Sequence, residues 1–77
     1  STTPAPALAR CLGAILRRSD FGPDEARLEL VRALGQIQAA EALAELTEYV
    51  ARTPAKPALS SRREAESIVT ARRGGGS

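Results

Sequence analysis

A chain of 77 residues with a formal net charge of +2 and no histidine is bounded to one small domain, and His-based acid–base chemistry and His metal ligation are excluded. A single cysteine excludes an intrachain disulfide, and no apolar run approaches the ~20 residues needed to span a bilayer. Aromatics make up 3% and Ala and Leu dominate the apolar positions, which suits close helix–helix contact and argues against strands.

Residues 1–4 form a Pro/Thr-rich tail, and a single helical domain is expected over 5–72. The first helix is expected over 5–18, with Thr3 as its N-cap, Pro4 at its start and Arg17 and Arg18 in its last turn, where cations favour the negative helix end. Leu8, Cys11, Leu12, Ile15 and Leu16 recur at helical spacing, so they mark its expected inner face and place Cys11 as a buried thiol. Ser19-Asp20-Phe21-Gly22 breaks that pattern.

Pro23 followed by Asp24 and Glu25 opens a second helix, expected over 23–37. Ala26, Leu30, Ala33, Leu34 and Ile37 give its inner stripe; Leu28 and Val31 widen the apolar surface to a second side, so this helix is expected to be contacted from two directions. Gly35 costs a helix interior roughly 1 kcal/mol against Ala, and the apolar face must rotate to continue into the next segment, so a break is expected near 37–39. The third helix, expected over 40–52, turns Leu43, Leu46, Tyr49 and Val50 inward and Glu41, Glu45 and Glu48 outward. Pro54 and Pro57 stop it. Ser61-Arg62-Arg63-Glu64 has the capping-box form and opens a fourth helix, expected over 60–72. Its apolar face is thin (Ala65, Ile68, Val69), so weak docking is expected. Residues 73–77 read as a flexible Gly/Ser tail, a linker or tag remnant.

One phrase occurs twice. Leu8-Ala9-Arg10-Cys11-Leu12-Gly13-Ala14-Ile15 is echoed 22 residues later by Leu30-Val31-Arg32-Ala33-Leu34-Gly35-Gln36-Ile37. The missing side chains of Gly13 and Gly35 lead to the expectation that the first two helices cross there. Residues 26–50, through Val31-Arg32-Ala33-Leu34-Gly35-Gln36-Ile37 and Glu41-Ala42-Leu43-Ala44-Glu45-Leu46, resemble HEAT-like repeats of the short bacterial type. The resemblance implies helix pairs stacked into an array that binds rather than catalyses. The 22-residue echo is shorter than a two-helix repeat of ~40, which leaves the first helix as a truncated neighbour. The expected fold class is therefore all-α: a small bundle of three to four helices or a truncated HEAT-like array.

Charge is zoned. Residues 1–19 carry three Arg and no acid, residues 20–52 seven acids against three Arg, and residues 53–73 five cations against two Glu. No catalytic, cofactor or metal residues are indicated, since Cys11 has only Arg10 beside it to lower its pKa and the glycines at 74–76 follow no strand. The expected function is non-catalytic docking of another protein or domain through a helix in a groove, with self-association also allowed. Leu28, Val31, Tyr49, Ile68 and Val69, off the main stripes, are the expected partner contacts. Glu41, Glu45 and Glu48, with Arg62, Arg63, Arg72 and Arg73, are the expected electrostatic contacts. Two alternatives stay open: a nucleic-acid-associated module using the basic C-terminal segment, and a docking domain of a larger multienzyme chain. With no signal-peptide layout at the N-terminus, a cytoplasmic location is the expectation.

Overall fold

The computed structural model describes residues 4–18 and 22–74, and these form α1 (Ala5–Leu16), α2 (Asp24–Gly35), α3 (Ala40–Arg52) and α4 (Ser60–Gly74). An all-α bundle of four helices is thus what the chain forms, and among the described residues there is no strand. Each start and stop has a local cause. Pro4 and Pro23 hold the extended N-cap positions of α1 and α2, and Asp24 and Glu25 follow in the first turn of α2, where carboxylates meet the positive helix end. The backbone leaves the helix after Gly35 and resumes at Ala40 from an extended Ala39, so the long single helix is broken as expected. Thr53, extended, ends α3 just ahead of Pro54. Thr3 lies outside the described residues.

Interhelical contacts set the directions. At one end Asp24, which begins α2, accepts hydrogen bonds from the backbone N–H of Ser61 (3.2 Å) and from its hydroxyl, at the start of α4. At the other end Arg72 of α4 donates to the carbonyl oxygens of Gly35 (2.7 Å) and Ile37 (2.9 Å), where α2 finishes. Helices joined start to start and end to end are parallel. Both joints tie residues 37 apart, Asp24 to Ser61 and Gly35 to Arg72. Likewise Arg10 pairs with Glu41 and Arg17 with Glu45, so α1 runs parallel to α3. The fold is two layers, α1 beside α3 and α2 beside α4, with helices antiparallel between layers. Its extents are 37 × 33 × 16 Å. Among the described residues α1 and α4 do not meet, while α2 and α3 each touch all three other helices.

Leu34, Leu46 and Val31 are fully buried at the centre, with Leu16, Ala42, Ala9 and Ala65 around them. Each large aliphatic side chain buried in this way contributes about 1.5–3 kcal/mol. The inner face of α1 is Ala9, Gly13 and Leu16, with Leu12 half-buried; Leu8 and Cys11 are exposed, which corrects the expected stripe and the buried thiol. The physical reason is close approach. A Cβ on Gly13 would run into the Glu45 side chain of α3, and one on Gly35 would lie 2.8 Å from Cδ1 of Ile68 on α4. Each glycine therefore admits its layer neighbour, and the expected crossing of the first two helices at their glycines is replaced by these two contacts.

α4 is anchored by polar groups that its thin apolar face gave no hint of. Ser61 is fully buried inside the first turn and not at a capping-box N-cap: its hydroxyl turns to Asp24, and Tyr49 reaches the same oxygen at 2.6 Å. A carboxylate only accepts, so the Ser61 hydroxyl donates to Asp24 and the Tyr49 hydroxyl donates to Ser61. One carboxylate from α2 thus serves an N–H that the first turn of α4 leaves without an intrahelical partner. At the far end Arg72 places its guanidinium on the carbonyl of Gly35, which the last turn of α2 leaves open, and on that of Ile37 in the loop beyond.

Candidate interaction surface

The structure redistributes the residues that sequence singles out. Val31 (0% exposed), Tyr49 (5%) and Val69 (9%) belong to the core, so they are not partner contacts. Val31 is buried because α2 is covered from three sides, and Tyr49 because its hydroxyl is held by Ser61. Leu28 is half-buried, and Ile68 is half-buried against Gly35. These five side chains do not form one surface.

The acidic ridge of α3 is engaged within the molecule. Glu45 pairs with Arg17, whose side chains are 15% and 35% exposed. Glu41 lies 4.0 Å from Arg10, and Glu48 lies 3.6 Å from Arg52 on its own helix. The basic C-terminal set divides in two. Arg62 donates to the Thr53 carbonyl (2.8 Å) and pairs with Glu66 (3.5 Å), while Arg72 clamps α2; Arg63 and Arg73 remain exposed. The residues expected to steer a partner therefore act largely to join helices.

What sequence reasoning missed is an end wall. The α3 side of α1 is marked by Arg10, Gly13 and Arg17. Leu8 and Ile15 stand two residues from these, about 200° around the helix, and so face away from α3. Leu8 is the one large apolar side chain among the described residues that counts as exposed, at 40%, and Cys11 between the two is exposed as well. By the same spacing, Ala26 and Ala33 of α2 face away from α4, whose side is marked by Asp24 and Gly35. The two edges lie at the same end of the slab. At the opposite end α4 presents a polar face of Arg63, Glu66, Ser67 and Thr70, while beside it α3 presents Ala40, Leu43 and Ala44. A signal was available: α1 is apolar on more than one side, and a helix of that kind needs more than one neighbour.

Chemistry is sparse elsewhere. A cleft of about 150 Å³ opens where α1 and α3 end, lined by Arg17, Arg18, Arg27, Arg52, Tyr49 and neighbours, and two of its guanidiniums are held by Glu45 and Glu48. Among the described residues no three Cys, Asp or Glu side chains gather to hold a metal ion, and no helix is long and apolar enough to cross a membrane. Comparison with family models, curated proteins and solved structures returned no match.

Proposed function

We propose that this chain is a non-catalytic docking module built as a short stretch of HEAT-like helical array. The observation that carries this reading is the parallel stacking of α2 on α4 at a constant offset of 37 residues, with α1 parallel to α3 in the second layer. Two-layer arrays of about 40 residues per unit have this arrangement, and their extended faces bind other proteins. On this reading the 22-residue echo joins helices of different layers, and the repeating unit is the helix pair from α2 to the start of α4. The four helices then comprise the second helix of one unit, a complete unit, and the first helix of the next.

Use of the ionisable groups supports binding over catalysis. The carboxylates of Asp24 and Glu45 and the guanidiniums of Arg62 and Arg72 serve helix joints, and Glu48 pairs with Arg52 on its own helix. The nucleic-acid alternative loses two of its four C-terminal arginines to the same work. A photo-crosslinking residue placed at Leu8 on the apolar wall, and separately at Thr70 on the polar face, tests docking in the cells that make the protein. A protein adduct from position 8 is the expected result. No adduct from either position would overturn the reading.

A further inference from the structure

We infer that copies of this chain stack end to end, the α1–α2 edge of one seated on the α3–α4 edge of the next. This rests on the array reading above and names a second copy as what covers the apolar wall. The two layers are offset. α1 and α4 do not meet, while α2 and α3 each touch every other helix, so α1 projects at one end of the slab and α4 at the other. Beside the projecting α4, the outer face of α3 forms an open groove lined by Ala40, Leu43, Ala44 and Thr47, between Glu48 and Arg73. A projecting α1 and a recess beside α3 are the two halves of one joint.

Register selects the occupant. Within the chain α1 lies level with α3 at residues 32 apart, Gly13 against Glu45, and α2 lies level with α4 at residues 37 apart, Gly35 against Arg72. One more step of each stack carries the same offsets into the next copy. Leu8, Cys11 and Ile15 of its α1 then stand opposite Ala40, Leu43 and Thr47 of α3. Both triplets have the spacing i, i+3 and i+7, and at each level a larger side chain meets a smaller one. In the other layer Ala26, Leu30 and Ala33 of α2 stand opposite Arg63, Ser67 and Thr70 of α4, and large again meets small. Alternation of this kind is how facing helices interdigitate. Such a match between the two edges of one chain is what a second copy requires and a foreign partner does not.

Charge agrees with the register. Arg63 is exposed on the outer edge of α4, where Glu66 is already paired with Arg62. On the α2 edge Glu29, its side chain 76% exposed, flanks Ala26 and Ala33, and the stack sets it within one turn of Arg63. Area sets the strength. Each edge runs about 18 Å along its helices and 16 Å through the two layers, so the joint buries less than the ~800 Å² per partner of a stable dimer. The two edges differ, so the contact is head to tail and does not close at two copies. Weak association that grows with concentration is the consequence.

Sedimentation equilibrium of the full chain up to millimolar concentration tests this, with a reductant present because Cys11 is exposed. The expected result is an average mass that rises past two chains without a plateau. Leu8→Glu and Ala40→Glu, on opposite edges, should each weaken association at least tenfold with unchanged circular dichroism, since both residues are exposed. Arg63→Glu and Glu29→Arg should each weaken it too, and an equimolar mixture of those two variants should recover it. A plateau at two chains would overturn the head-to-tail contact in favour of a symmetric one. Loss in Leu8→Glu with none in Ala40→Glu would overturn α3 as the seat. A single-chain mass throughout would overturn stacking; a crosslinked adduct at position 8 would then still support docking of another protein, and its absence would sink both readings.

Discussion

Gly13 is where sequence, packing and charge meet most tightly. A methyl group there would occupy the space of the Glu45 carboxyl, which Arg17 holds in place. Alanine in a helix interior is worth about 1 kcal/mol over glycine, whereas a partly exposed ion pair is worth up to about 1 kcal/mol. The two effects offset each other in the native background, so Gly13→Ala should change stability by less than about 0.5 kcal/mol. Once Glu45→Ala has emptied the space, the same substitution should stabilise by about 1 kcal/mol. Urea unfolding of the four chains of this cycle checks it, and equal effects in both backgrounds would show that the glycine is not kept for Glu45. Tyr49 offers a cleaner removal. Tyr49→Phe keeps the buried ring and takes away one hydrogen bond to Ser61, at a cost of about 1 kcal/mol.

Among the elements, α4 has the least apolar material, yet it is tied at both ends. Asp24→Ala leaves a buried N–H and hydroxyl of Ser61 without their acceptor, for which about 1–3 kcal/mol is expected. Arg72→Gln strips the guanidinium from two carbonyls and should cost about 1–2 kcal/mol, with faster amide exchange confined to the last turn of α4 and the loop after Gly35. Thermal unfolding of both variants, compared with Arg63→Gln on the exposed face as a control, measures these costs. The helices themselves were legible because their signals are local: Pro23 with two acids after it, Gly35 ahead of a change of apolar phase, Pro54 and Pro57 after Arg52. The anchors were not, because Asp24, Tyr49 and Ser61 lie 37 and 12 residues apart and only the tertiary fold joins them. The phase of α1 was misread for another reason. Leu8 and Ile15 outrank Ala9 and Gly13 in apolar content, but the seat against α3 admits only small side chains. The larger ones are left on the outer edge of α1, Leu8 exposed and Ile15 half-buried.

Stability across the whole molecule should follow from these attachments rather than from helix hydrophobicity. α2 and α3 each contact every other helix and hold Val31, Leu34, Leu46 and Tyr49. α1 lies at an edge, buries two of the smallest side chains and one leucine, and is fastened to α3 by ion pairs exposed at least in part. Elements with few buried contacts open locally at lower free energy than the core. Amides of α1 should therefore exchange at least about tenfold faster than those of α2 and α3, a difference of ~1.4 kcal/mol or more in opening free energy. Those of α4, pinned by Asp24 and Arg72, should stay close to the core despite its polar face. Hydrogen exchange followed by mass spectrometry on peptides from each helix gives the ranking, and protection of α1 above α4 would show that apolar content outweighs the polar anchors.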